Sequence, residues 1–291
     1  MIVRELAESH GLAVRPVAVD ETGWDFRVVH AVDDHGRRWV LRVPRRPEVA
    51  EMIPVEARVL DFLRDRLPVA LPRWEIHSPE LIAYRRLPGE PMAEEDPVVL
   101  PRPWRGEPSD TFLRTLAEVI AELHRTPLAE VQALGVPTRG PAWQRSEAER
   151  GLAAVQAEIG VPQAKARRWR SWIDDDRYWS AEPRLVHGDL HPAHTLVDGD
   201  GNLVGLLDWA DTAIDDIATD FAAPCLAFGP DGLERLLAHY VAAGGRPPEL
   251  FAAHVTELTA FRSSVMLGLH GLETGDRNYV AIARARLDQD R

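Results

Sequence analysis

The sequence predicts an α+β chain of two lobes, a small antiparallel sheet with one helix followed by a larger, mainly helical part. Three observations predict it. Residues 26–43, FRVVHAVDDHGRRWVLRV, are two β-rich runs around an Asp-Asp-His-Gly turn, the pattern of a hairpin. Beyond Pro108 the apolar spacing becomes helical, broken by one β-like segment at 184–207. The length of 291 residues also exceeds that of a typical single compact domain.

Taken in order, residues 14–19 read as a first strand, and Asp20-Glu-Thr-Gly-Trp24 as a loop leading into the hairpin. Residues 48–67 place Val55, Val59, Phe62, Leu63 and Leu67 at helical spacing. A further strand fits 80–87, closed by Pro88-Gly89, so the first lobe is set at residues 1–87 and the second at 88–291. The stretch up to about Pro108 is rich in proline and without periodicity, as a linker or surface excursion would be. Ser109 is placed to cap a helix running to His124, with a stripe of Phe112, Leu113, Leu116, Val119, Ile120 and Leu123 and Pro127 just past its end. Helices also fit 146–159, 232–243 and 248–269.

Composition narrows the function classes. A net charge of −12 argues against nucleic-acid and anionic-membrane binding, which need a positive field. No apolar run reaches the roughly 18 residues of a membrane helix, and MIVRELAESHGL carries charges where a signal peptide needs its apolar core. A cytoplasmic, monomeric protein is expected. The single cysteine, Cys225, excludes an intramolecular disulfide and a cysteine-based metal site. Lys165 is the only lysine, so a buried or phosphate-binding cation elsewhere must be arginine.

The segment 184–209, RLVHGDLHPAHTLVDGDGNLVGLLDW, holds the chemistry. Short strands at 185–186, 195–198 and 203–207 surround a turn at Asp198-Gly-Asp-Gly201. His187, Asp189, His191 and His194 lie between the first two strands, and Asp208 follows the third. Adjacent strand ends can bring Asp189, His194 and Asp208 to one spot. Such a cluster suits either Mg²⁺-assisted phosphoryl transfer or a transition-metal hydrolase site, since imidazole also suits zinc and iron.

His187-Gly-Asp189-Leu-His-Pro-Ala-His194 resembles the catalytic loop of aminoglycoside phosphotransferase-like kinases, relatives of the protein kinases with an HxDxxxxN pattern. Asp208-Trp209 resembles that family's metal-binding aspartate, and Asp216 and Asp220 in DDIATDFA fall where it has D-P-x-x-D-L-A. The resemblance implies a bilobal protein-kinase-like fold and a phosphotransferase with Asp189 as catalytic base. It implies that His194 and Asp208 hold Mg²⁺, and that His187, Asp216 and Asp220 support the catalytic loop. His194 departs from the family's Asn, and it could instead bond a phosphate or fix Asp208.

HGDLHPAH, with WVLRVPRR at 39–46 and LIAYRRLPG at 81–89, is similar to the macrolide 2′-phosphotransferases, which use GTP. That likeness implies GTP as donor and a macrolide acceptor. For the nucleotide it implies Arg42 in the place of the kinase strand lysine, Glu56 as its helix partner, and Tyr84, Arg85, Arg86 and Leu87 as the hinge. Arginine can bridge phosphate oxygens bidentately. The substitution is therefore chemically sound.

Other functions stay open at this point. Gly188-Asp189-Leu-His191 echoes the GDxH motif of metallophosphoesterases, but the upstream D-x-H and downstream G-N-H partners are missing. A kinase-like binding protein without catalysis is a third reading, weakened by the presence of both Asp189 and Asp208. Within the kinases, aminoglycoside, choline and homoserine acceptors compete with a macrolide. Residues 225–291 carry eight acids (231, 234, 249, 257, 273, 276, 288 and 290) against seven arginines, and apolar residues such as Phe228, Leu233, Tyr240 and Met266. That near-neutral, apolar balance suits a large lactone with one ammonium better than a polycation.

Overall fold

The computed structural model describes residues 3–21, 23, 25–93, 107–179 and 182–289. Thr22 and Trp24 of the expected 20–24 loop, residues 94–106 of the proline-rich stretch, and Asp290 lie outside the described residues.

The chain opens with helix α1 (Val3–Ser9) and strands β1 (Val14–Asp20), β2 (Phe26–Asp33) and β3 (Arg38–Pro44). Helix α2 (Pro47–Leu63), β4 (Trp74–His77) and β5 (Ile82–Arg85) complete a five-stranded sheet ordered β1-β2-β3-β5-β4, every pair antiparallel. Alternation along β3 decides which side chain faces what. Trp39 and Leu41 join Leu6, Val29 and Ala83 in the core under α1. Val40 joins Phe26, Ile53, Ile82 and Tyr84 on the opposite face under α2. Arg42, in step with Val40, therefore shares the α2 face.

Strand β6 (Glu90–Pro91) leaves the first lobe and pairs with β8 (Thr195–Val197), which pairs with β9 (Leu203–Leu206). Strands β7 (Arg184–Val186) and β10 (Ala213–Asp215) form a second antiparallel ribbon. These two ribbons frame the polar segment. Around them pack α3 (Asp110–Arg125), α4 (Leu128–Gln132), α5 (Pro141–Glu158), α6 (Gln163–Asp174), α7 (Thr219–Ala242), α8 (Phe251–Phe261), α9 (Leu267–Thr274) and α10 (Arg277–Asp288). The Ser109 side chain accepts from the Phe112 amide, capping α3 as the sequence led one to expect. One large core runs from Val59, Leu60 and Leu63 of α2 through α3 and α7 to Leu287 of α10, so the lobes share apolar packing.

The helical part differs from expectation in its boundaries. Helix α7 is broken at Gly229, where φ is 71° and the backbone is non-helical, so the helix expected at 232–243 is its second half; the first half, from Thr219, folds back against it and brings the Phe221 and Tyr240 rings to 5.1 Å. The helix expected over 248–269 is divided by a π turn at Arg262–Met266 between α8 and α9. No described helix is long and apolar enough to cross a membrane.

Candidate active site

Asp189 sits in the loop between β7 and β8, directly after Gly188, whose φ of 92° no side-chain-bearing residue adopts without strain. A Cβ on Gly188 would also lie 2.5 Å from the Asp211 carbonyl oxygen. Asp220, buried in the first turn of α7, accepts from the Gly188 amide at 2.9 Å and the His187 amide at 3.2 Å. Two backbone donors that lack strand partners are thus satisfied by one carboxylate.

His187 is fully buried, and burial first of all holds its imidazole below the ordinary histidine range. The neutral ring accepts from the Asp189 amide through Nδ1 at 3.2 Å and donates from Nε2 to the Leu207 carbonyl at 3.1 Å. His187 therefore ties the Asp189 loop to the end of β9. Asp216 lies elsewhere. It caps the Ala218 amide at 2.8 Å and meets His254 of α8 at 3.0 Å, fixing the start of α7 and not the loop itself.

His194 stands between the two aspartates. Its Nδ1 is 3.1 Å from the Asp189 carbonyl oxygen and 3.3 Å from Asp189 Oδ2, and its Nε2 is 3.8 Å from Asp208 Oδ2. A carbonyl only accepts, so Nδ1 carries the proton and Nε2 faces Asp208. Desolvation pushes the Asp189 carboxyl upward, but the charge and hydrogen bond of His194, then His191 and His187, hold it well below the usual carboxylate range. Asp208 has φ of 54°, the only described non-glycine residue at positive φ. That strained turn directs its carboxylate back toward the first lobe.

From that lobe comes Arg42, 7% exposed, with Nη1 3.0 Å from Glu56 Oε1 and Nη2 3.4 Å from Asp208 Oδ1. Its guanidinium lies 4.0 Å over the Phe26 ring. Burial disfavours the charge, but Glu56 and then Asp208 outweigh it and keep Arg42 protonated. Burial drives the Glu56 carboxyl upward against the pull of Arg42, and the Trp209 amide also donates to it. A strand and a helix of the first lobe and the Asp208 turn of the second meet in this one network.

These groups line a cavity of about 830 Å³ between the lobes, walled by Phe26, Val28, Val40, Tyr84, Arg86, Leu87, Leu196 and Leu207. Its apolar walls suit a planar ring, and Tyr84, its phenol pushed up to about 12 by burial, stays neutral there. Arg85 was expected with the hinge, but its side chain leaves the cavity. Strand alternation turns it to the α1 face, where it stacks 4.0 Å over Trp39 and pairs with Glu75 at 2.9 Å. Only its backbone remains at the hinge.

The donors present fit Mg²⁺. That ion takes one or two protein carboxylates and leaves its other positions to phosphate oxygens and water. Asp208, with a side chain 38% exposed, is such a carboxylate, and the imidazole nitrogen of His194 beside it is a softer donor than the oxygen this ion prefers. Among the described residues no group of three or more His, Cys, Asp or Glu forms a closed cage.

Three functional positions were not foreseen. His124, at the end of the α3 stripe, meets Asp220 Oδ2 through Nε2 at 3.3 Å and the Tyr240 hydroxyl through Nδ1 at 2.8 Å. This buried relay braces Asp220 from behind. Asp211, on the cleft wall near Asp189, is the third; desolvation first, then repulsion from Asp189 and Asp208, raises its carboxyl above the ordinary range. A histidine ending an amphipathic stripe was the one available signal for the relay.

The APH family model, described as a phosphotransferase enzyme family, matches residues 17–255. The chain belongs to this family. It is 42% identical over 260 residues to the uncharacterized protein YcbJ of Bacillus subtilis (strain 168), covering 88% of this chain and 85% of the relative. Among solved structures, a macrolide 2′-phosphotransferase type I matches with TM-score 0.88 and 37% identity over 99% of this chain and 96% of the other. Macrolide 2′-phosphotransferase MphH from Brachybacterium faecium matches with TM-score 0.85 and 36% identity, covering 99% and 98%. The fold also matches the GDP and kanamycin complex of an aminoglycoside kinase, with TM-score 0.82, 22% identity and coverage of 99% and 97%. The protein is accordingly a phosphotransferase with the kinase-like fold that its catalytic-loop sequence implied.

Proposed function

We propose that this family member is an antibiotic kinase that moves the γ-phosphoryl group of GTP to the 2′-hydroxyl of a macrolide amino sugar. The observation that carries the kinase chemistry is the meeting of Asp189, His194 and Asp208 with the Arg42–Glu56 pair across one cleft. The macrolide acceptor and the GTP donor rest on the likeness to the two macrolide kinases and on their sequence pattern in the catalytic loop.

In this reading residues 1–87 hold the nucleotide and 88–291 supply the catalytic loop and the acceptor surface. The purine lies between the apolar walls against the 84–87 backbone. Arg42, oriented by Glu56, contacts the α- and β-phosphates. Asp208 and His194 would hold Mg²⁺, which would neutralise charge on the phosphates. Asp189 aligns the acceptor hydroxyl. The hydroxyl oxygen attacks the γ-phosphorus, the bond to the bridging β–γ oxygen breaks, GDP departs, and the hydroxyl proton passes to the Asp189 carboxylate. Positioning and charge neutralisation supply most of the catalysis, as suits a loose transition state. The nucleotide requirement places the reaction in the cytoplasm.

The test offers erythromycin and kanamycin separately to the enzyme with Mg²⁺ and GTP or ATP, reading nucleoside diphosphate release and locating the phosphate by NMR. Erythromycin 2′-phosphate formed preferentially with GTP is the expected result. Kanamycin turnover without erythromycin turnover would remove the macrolide assignment and leave the phosphotransferase intact.

A further inference from the structure

The carboxylates around the cleft can be matched one by one with counter-charges. Asp189 faces His194, and Asp208 faces Arg42 and the metal position. Asp215, buried behind them, is bonded by Gln144 and has Arg139 Nη1 at 3.4 Å. Asp211 alone of this set is bonded by no side chain or amide that shifts its titration; it feels Arg262 and Arg139 only at longer range. Arg139 is engaged elsewhere, by Asp215 and by the ring of Trp143 at 5.3 Å.

The placement of Asp211 gives that leftover charge a use. A Cβ on Gly188 would fall 2.9 Å from the Asp211 Cβ, so the Asp211 side chain starts against the residue that immediately precedes Asp189. Both side chains line the same cavity, and Asp211 is exposed to it. A group bound by Asp211 therefore sits in the same cavity as the hydroxyl that Asp189 aligns, beside the loop that carries Asp189. The partner that completes the charge balance is a cation, since an anion would meet three carboxylates.

We propose that Asp211 is a specificity-determining residue, the counter-ion for an ammonium group carried on the carbon next to the accepting hydroxyl. The substrate class it selects is a vicinal amino alcohol within a larger apolar scaffold. This rests on the acceptor reading given above. The neutral Asn at position 211 would keep the shape and lose the charge-assisted hydrogen bond.

The test compares erythromycin with its 3′-de(dimethylamino) analogue, which keeps the 2′-hydroxyl, on wild-type enzyme and on Asp211→Asn and Asp211→Glu. Losing one charge-assisted hydrogen bond corresponds to roughly a 10- to 100-fold rise in KM for erythromycin in Asp211→Asn, with kcat changing far less. Wild type should show a similar gap between the two acceptors, Asp211→Asn should nearly abolish that gap, and Asp211→Glu should restore part of it. The wild-type gap needs no variant to fold. Equal losses on both acceptors in Asp211→Asn, or an increased Mg²⁺ requirement, would overturn the proposal by making Asp211 a support for the base or a metal ligand. Erythromycin left unphosphorylated by wild type would instead refute the acceptor reading, and this proposal with it.

Discussion

At the level of single residues the site is a set of charges that restrain one another. Asp189 is held by His187 through its amide, by Asp220 through the two preceding amides and by His194 through a ring proton, while the other nitrogen of His194 faces Asp208. Asp189→Asn keeps the volume and removes the charge, so kcat should fall by about 10²–10⁴-fold while nucleotide affinity is retained; steady-state kinetics with a verified acceptor checks this. Arg42 is a different case. It is buried with Glu56, so Arg42→Ala would leave a carboxylate buried and unpaired, at a cost of about 3–5 kcal/mol. A loss of activity there would mix misfolding with weaker phosphate binding. Arg42→Lys keeps the charge and loses the bidentate fork, so it should raise the KM for nucleotide more than that for acceptor with only a small drop in Tm. An effect confined to the acceptor would take Arg42 out of the phosphate site.

At the level of elements, the site is assembled where strands end and a helix begins. Strands β7 and β9 stop just before His187 and Asp208, and Asp220 in the first turn of α7 holds the intervening backbone. The strand ends were legible in the sequence because apolar runs and a DGDG turn mark them. The cluster was legible because polar residues followed those runs directly. The brace behind Asp220 was not legible, since His124 lies 96 positions away and meets it only through packing of α3 on α7, with Tyr240 bonded in turn to His124. The break in α7 was legible, since Gly229-Pro230 marks the point where the second helix starts. Arg85 shows the opposite limit: its motif puts it beside Tyr84 on β5, yet strand alternation sends its side chain to the far face. Gly188→Ala tests this level. The new Cβ would press on the Asp211 carbonyl, which is backbone and cannot swing away, and would strain φ at 92°. We expect kcat to fall by at least tenfold from misplacement of Asp189, on the scale reported for small geometric errors at reacting groups, together with a lowered Tm. Native kinetics from a folded Gly188→Ala protein would show that the loop adapts freely.

At the level of the whole molecule, the cavity between the lobes belongs to neither lobe alone. Tyr84 and Arg42, the latter paired with Glu56 behind it, come from the first lobe, Asp189, His194 and Asp208 from the second. The lobes are joined by more than the linker, because α2 contributes Val59, Leu60 and Leu63 to the core of the helical part and β6 pairs with β8. Unfolding should therefore be one cooperative transition, and a ligand that bridges the lobes should shift all of it. GDP with Mg²⁺ at a hundredfold excess over its Kd would stabilise the folded state by about 2.7 kcal/mol, a rise in Tm on the order of 5 °C for a chain of this size. The rise should divide into two parts. Nucleotide alone, held by the apolar walls and Arg42, gives the first, and adding Mg²⁺ gives the second. Asp208→Asn should keep the first part and lose most of the second, since the amide is a far poorer ligand for a hard cation. Calorimetry of both proteins with GDP, before and after Mg²⁺, measures the two increments directly. Equal Mg²⁺ increments in the two proteins would remove Asp208 from the metal position, and a transition that splits in two on adding nucleotide would show that the shared core does not couple the lobes.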